Sequence, residues 1–222
     1  MTCCAYFKDG RCVESMEDHI REGLKFIERM YISRNYGEFL SRVLNLRKEK
    51  AEGLLRKAYI IHDVGKGLEE FQSKKQHFPY HEFYSALVAK EVLKDFGKAG
   101  EIAVVAVSLH HHDWVRYEKP RKPDNLELDR ECACVIEKFM GVEIPRKVPW
   151  IKPEEFSRWV VNVFSSNIRA VYALLLPISL ADNYSAMRNR GGEPTTPGKE
   201  IEEVLSVYKE VEKFVSSISS GI

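Results

Sequence analysis

The chain has 222 residues, 44% of them hydrophobic and 30% charged, an ordinary balance for one globular domain with a sizeable core. A formal net charge of +1 excludes any global pull toward nucleic acid or a membrane surface, so charge used for binding must be local.

The first residues lack the basic and apolar regions of a targeting segment. The longest apolar stretch, Val171 to Ala181, is too short to span a bilayer and contains Pro177, so the expectation is a cytoplasmic protein without membrane contact. Residues 1–13 carry Cys3, Cys4 and Cys12, and Asp9-Gly10 is a turn signal that could join two small strands. With Cys132 and Cys134 the cysteines number five, without zinc-finger spacing. Free thiols are the expectation; a disulfide from the N-terminal group to Cys132 or Cys134 is the alternative in a hyperthermophile.

Ser15 opens the first helix, with Asp18 three residues on in a capping-box arrangement. Ile20, Leu24, Ile27 and Tyr31 form its core stripe. His19 stands beside the stripe, Gly23 leaves room around it, and read alone it is a structural histidine. Helical pattern resumes through Phe39, Val43 and Leu46, then through Ala51, Leu54, Leu55, Ala58 and Ile61. This last helix runs into His62-Asp63-Val64-Gly65-Lys66, where Gly65 reads as the helix stop. His62 follows Ala58 by four residues and should point inward, where an imidazole must find a hydrogen bond or a metal. An imidazole beside a carboxylate suits first-row divalent ions, and Lys66 could reach an anion held there.

Residues 67–78 read as a loop or short helix over that site, with His77 at the surface. Pro79 to Glu82 begins a helix with His81 in its first turn. The segment 102–107 is apolar on all sides and reads as a buried helix, ending in His110-His111-His112-Asp113-Trp114. Residues 115–152 are basic and proline-rich, with a short helix over 131–140. There Arg116, Lys119, Arg121 and Lys122 interleave with Trp114, Tyr117 and Trp150, a pattern suited to single-stranded nucleic acid or to a solvated loop. A helix starts at Pro153, and an apolar one runs over about 166–187, where Pro177 should kink the backbone and free the Ala173 carbonyl. Asp182 follows the most apolar stretch and needs a partner or a metal there. A linker over 190–199 leads to a last amphipathic helix through Ile201, Val204, Leu205, Tyr208, Val211 and Val215. The fold class expected is all-α, a helical bundle over a single domain 1–222 with a small N-terminal hairpin.

The order of a lone His, His-Asp with a following Lys, a His, a His cluster and a late Asp resembles the HD superfamily of metal-dependent phosphohydrolases. The closer resemblance is to the HD nuclease domain of the CRISPR-associated type I helicase-nuclease, here as a stand-alone chain. It rests on Ala5-Tyr6, Glu14 to His19, His62 to Lys66, His81, the paired histidines and Leu180-Ala181-Asp182. The resemblance implies two metals, one on His19, His62, Asp63 and Asp182, the other on Asp63, His81, His111 and His112, with Asp63 bridging. His110 with His111 is the alternative pair. Imidazole-rich ligation favours Mn, Fe, Co or Ni, with Mg as the harder alternative. Two cations would activate water for attack on a phosphodiester, with Lys66 meeting the developing charge and Asp182 orienting the water. Single-stranded DNA as substrate is implied, with a separate helicase and a crRNA-guided surveillance complex as partners. A hydrolase of small nucleotides and a non-enzymatic regulatory subunit are the competing readings.

Overall fold

The structure, a computed structural model, describes residues 2–111, 120–190 and the isolated positions 203 and 206. The chain begins with an antiparallel hairpin, β1 (Cys4–Lys8) and β2 (Arg11–Ser15), turned by Asp9 and Gly10, both at positive φ. Its register is broken around Tyr6, where Tyr6 pairs with Glu14 between the regular Cys4–Ser15 and Phe7–Cys12 pairs.

Ser15 then caps α1 (Met16–Met30), its hydroxyl oxygen accepting from the Asp18 backbone N–H at 3.0 Å. Helices α2 (Tyr36–Leu44) and α3 (Lys48–Ile61) follow, and His62-Asp63 leads into a 3₁₀ turn, Val64–Gly67. The short α4 (Glu69–Lys74) precedes α5 (His81–Val92) and α6 (Lys98–Leu109). After the segment 112–119, which lies outside the described residues, come α7 (Arg130–Met140) and α8 (Pro153–Asn189). The fold is thus a helical bundle with a two-stranded N-terminal hairpin. Its core is built on α6, buried over most of its length and packed against α3, α5 and α8, while α1 lies along α8.

Gly65 does not act as a left-handed helix stop, since α3 ends at Ile61 and His62 keeps a right-handed conformation. A Cβ at Gly65 would collide with the His81 carbonyl oxygen, so this glycine lets the His62–Lys66 turn press against the start of α5. The expected kink is also displaced. Non-helical backbone in α8 falls at Asn167, whose side chain donates to the Val163 carbonyl at 2.7 Å. Pro177 is accommodated within the helix, and the Ala173 carbonyl it deprives accepts the Tyr36 hydroxyl at 3.0 Å.

The expectation of free thiols is overturned for four cysteines. Cys4 and Cys12 close the hairpin, and Cys3 is bonded to Cys132 of α7, while Cys134 is free and exposed. Helix α8 is long and apolar enough to cross a membrane by length and composition. Much of its apolar surface is nevertheless spent on packing, and Asp182 is buried within it.

The basic segment packs on the body of the protein. Leu126 and Leu128 are buried, and the Asp129 backbone N–H donates to the Gly67 carbonyl at 2.8 Å. Trp150, offered by the sequence as a nucleic-acid platform, instead packs edge-on to the buried Phe83 at 5.8 Å between ring centroids. The expected linker and the last amphipathic helix fall outside the described residues, save positions 203 and 206.

Candidate metal centre

Four helix ends deliver the site. His19 comes from the first turns of α1, His62 and Asp63 from the end of α3, His81 from the first position of α5, and His110 and His111 from the end of α6. Asp182 enters from α8. An end of a buried helix lets one residue type pack on one side while its neighbour projects into a shared cavity, which is why these polar groups can be so deeply placed. His19, His62 and Asp63 are wholly buried and Asp182 is nearly so.

Two groups of candidate ligand atoms form, with every atom of a group within 4.8 Å of the others: His19, His62, Asp63 and Asp182; and Asp63, His81, His110 and His111. Asp63 belongs to both. Its Oδ2 lies 3.3 Å from His19 Nε2 and 3.6 Å from His62 Nε2, and its Oδ1 lies 3.1 Å from His81 Nε2 and 3.5 Å from His110 Nε2. Asp182 Oδ1 sits 3.3 Å from His19 Nε2, and its Oδ2 lies 3.6 Å from His111 Nε2. The structure therefore brings together His19, His62, Asp63, His81, His111 and Asp182 of the expected set. His110 completes the second group where His112 was expected, and His112 lies outside the described residues.

The other ring nitrogens explain which atoms face the site. Nδ1–H of His62, His81 and His110 donates to the backbone carbonyls of Tyr59, Phe78 and Val107, at 2.5, 2.8 and 2.7 Å. His19 Nδ1 pairs with the Glu14 carboxylate at 2.8 Å. With Nδ1 carrying the proton, Nε2 presents a lone pair inward, as metal-bound imidazoles do. The outcome, among the described residues, is five buried side-chain atoms without a hydrogen bond: Nε2 of His19, His62, His81 and His110, and Asp63 Oδ1. Each such orphan costs about 1–3 kcal/mol, and five converging in one place fit a site built for cations.

The charge balance agrees. Burial pushes the Asp63 carboxyl up, but Lys66 and the surrounding imidazoles outweigh it and hold the group well below the usual carboxylate range. Asp182 is likewise held low against burial by His19 and His62. Burial disfavours the charged His19 ring, yet Asp182, Glu14 and Asp63 raise it to about 9, so a proton stands in for a cation when none is bound. His111 goes the other way, pushed down to about 2 by burial and by His110.

Lys66 Nζ lies 2.6 Å from Asp63 Oδ2. Its loop is fixed by Gln72, whose amide donates to the Lys66 and Cys4 carbonyls, each at 2.8 Å, and accepts from the Cys4 N–H at 3.0 Å. Lys66, His81, His111 and Asp182 floor a pocket of about 220 Å³ walled by β1, Phe78 and Arg190. Arg121 and Lys122 are exposed and do not line it; Arg116 and Lys119 lie outside the described residues. A larger groove of about 880 Å³ between α1, α3 and α7 holds none of the candidate ligands.

A model of the HD domain family matches residues 16–187, a span that includes every one of these candidate ligands. The chain belongs to the HD domain family. Two curated relatives are CRISPR-associated endonucleases named Cas3-HD. That of Thermoproteus tenax is 30% identical over 118 residues, 52% of this chain and 47% of its own length. That of Pyrococcus furiosus is 30% identical over 181 residues, 66% of this chain and 75% of its own length. This chain thus spans about half of the first and three quarters of the second. A CRISPR-associated Cas3 HD domain protein from Methanocaldococcus jannaschii shares the fold, with a TM-score of 0.50 and 21% identity over 74% of this chain and 95% of that one.

In this HD domain the ligand helices are supported by residues the sequence did not single out for that task. Glu14, wholly buried at the end of β2, holds His19 and is itself held by Asn189 at 3.0 Å and Arg190 at 2.8 Å. Burial pushes Glu14 up, but His19 and Arg190 bring it to about 2. Tyr59 and Ser185 both donate to the His19 carbonyl, at 3.1 and 2.8 Å, tying α1 to α3 and α8. Gly23 makes room for Tyr59, rather than for the His19 ring. The one signal for Glu14 was its place next to the capping serine, five residues before His19.

Proposed function

We propose that this chain is a divalent-metal-dependent nuclease of CRISPR defence that cuts single-stranded DNA in the cytoplasm. The reading is carried by the five unpaired, buried ligand atoms arranged in two groups around Asp63. The similarity to two CRISPR-associated endonucleases named Cas3-HD supports the reaction class and the context. Mn, Fe, Co or Ni suits five imidazole nitrogens better than Mg does. His19, His62, Asp63 and Asp182 would hold one ion, and Asp63, His81, His110 and His111 the other.

Cations bound there would polarise a phosphodiester and make water nucleophilic at neutral pH. The chain supplies the rest. Asp63 presents one oxygen to each group and so fixes their separation. Lys66 brings an ammonium to the pocket floor, where it meets negative charge developing on phosphate. Asp182 faces both the deep histidines and His111, placed to orient water. Arg116, Lys119, Arg121 and Lys122 would draw the strand in through their charge. A separate helicase subunit and a crRNA-guided complex would supply the single strand.

One observation favours a second reading, hydrolysis of small nucleotides: the pocket holds only about 220 Å³ and none of the described basic segment lines it. The deciding experiment loads the protein with Mn²⁺ and offers labelled single-stranded DNA, duplex DNA, single-stranded RNA and nucleoside triphosphates. The nuclease reading expects single-stranded DNA to be cut fastest, steeply less so with added salt. Faster turnover of triphosphates than of any strand would replace it with the second reading.

A further inference from the structure

The HD family match begins at residue 16, so the hairpin of residues 4–15 lies outside it. That hairpin nonetheless walls the pocket over the metal centre. In a regular strand, successive side chains point to opposite faces. Here the register break at Tyr6 lets the consecutive residues Tyr6 and Phe7 line the same pocket, and bulges that re-aim side chains concentrate beside active sites. Phe78, from the turn before α5, packs against Phe7 with their ring centroids 5.6 Å apart, so the two rings form one continuous aromatic surface. None of the three aromatic residues is fully buried. Arg190 lies over the Tyr6 ring at 4.1 Å while binding Glu14, which sets Tyr6 in place and brings a guanidinium to the rim.

From this we infer that Phe7 and Phe78, flanked by Tyr6, form a base-stacking subsite that seats one unpaired nucleotide beside the phosphate to be cut, with Lys66 and Arg190 facing its phosphates. This rests on the nuclease reading and adds to it the element that selects single strands. Partly exposed aromatic rings beside a cationic floor are what sequence-tolerant binding of a single strand requires, since every base offers a flat face. A pocket of about 220 Å³ admits one nucleotide unit and excludes a duplex, whose bases are already stacked and paired. The hairpin is a firm wall for this purpose. Cys4–Cys12 closes it, Cys3–Cys132 ties it to α7, and Gln72 binds Cys4 and the Lys66 carbonyl together. The stacking surface and the catalytic loop are thereby held in fixed relation.

The test is single-turnover cleavage in Mn²⁺ of an oligonucleotide that is intact or abasic at successive positions, run beside binding of a strand carrying 2-aminopurine. With base stacking worth about 1–3 kcal/mol, an abasic residue next to the cut should weaken binding by wild type about tenfold. The Phe7→Leu/Phe78→Leu variant should lose that factor on intact strand, treat intact and abasic strands alike, and fail to quench 2-aminopurine. Wild type that cuts intact and abasic strands equally well, without quenching, would overturn the subsite and leave the nuclease reading standing. Quenching by wild type without cleavage of any strand would do the reverse. Should the double variant not fold, the abasic comparison and the quenching on wild type alone still decide.

Discussion

The two ligand groups share one carboxylate but differ in depth. The group of His19, His62, Asp63 and Asp182 is buried, reaches the pocket only through Asp182, and is braced by Glu14, Tyr59 and Ser185. The group of Asp63, His81, His110 and His111 borders the pocket, and the His111 side chain keeps 33% of its surface exposed. The inner group is thus part of the core that joins α1, α3 and α8, while the outer one meets whatever enters. Cations bound at the two depths would have different duties, an inner one fixing the site and an outer one exchanging more readily and facing substrate.

The largest effect should come from Asp63→Ala, which removes the ligand common to both groups. Activity should fall by well over the roughly hundredfold cost of an outer-sphere change, and metal content at both positions should drop while helical circular dichroism persists. Retention of two metals per chain would show that the groups do not depend on Asp63. Lys66→Ala should keep the metals yet lose turnover about 10²–10³-fold, as removal of a group stabilising transition-state charge does. If elemental analysis shows metal leaving with activity, Lys66 is holding the site together instead.

Depth itself is tested by His19→Ala against His111→Ala. The first should release the inner metal and lower the melting temperature, since it also takes from buried Glu14 one of its three partners. The second should release only the outer metal and melt almost as wild type does. Equal metal loss in the two variants would erase the distinction drawn between the groups. A finer change, Glu14→Gln, leaves the ligands untouched and should weaken metal binding at the inner group alone, by about 10–100-fold. Competitive chelator titration would show it, and a loss confined to the outer group would contradict it.

The pH dependence of the metal-free protein sharpens the same comparison at smaller scale. His19 and His110 bind protons more tightly folded than unfolded, so their stabilisation is complete below the unfolded value near 6.5 and is lost as pH rises through their raised values, about 9 for His19. His62 and His111 are depressed in the fold, so stability falls as pH drops below about 6.5 and the unfolded chain takes up those protons. Metal-free protein should therefore be most stable near pH 6.5. Binding a cation expels the His19 proton, so Mn²⁺ should stabilise more strongly as pH rises from 6.5 toward 9. Thermal melts across that range, with Mn²⁺ and with chelator, check both trends; parallel curves would rule out proton–metal competition at His19.

Much of the fold was readable because local signals agree with tertiary demands. Ser15 and Asp18 mark the start of α1, apolar spacing marks α3, and the all-apolar 102–107 run is the buried α6. The polar residues of the site were visible for the same reason, being costly residues at the ends of apolar helices. What escaped depends on contacts distant in sequence. The Pro177 carbonyl deficit is met by Tyr36, so the break moves to Asn167. His110 turns inward because its Nδ1 finds the Val107 carbonyl one turn back, a bond that residue spacing in a histidine run does not reveal. Trp150 looks like a stacking platform until Phe83 is seen beside it, and the pocket wall comes instead from Tyr6 and Phe7, aimed by a register break.

The central claim is that two cations lie on either side of Asp63. Crystals of the protein grown with Mn²⁺, with anomalous scattering recorded at the manganese edge, address it directly. Two peaks should appear, one among His19, His62, Asp63 and Asp182 and the other among Asp63, His81, His110 and His111. A single peak, or peaks away from Asp63, would contradict the account.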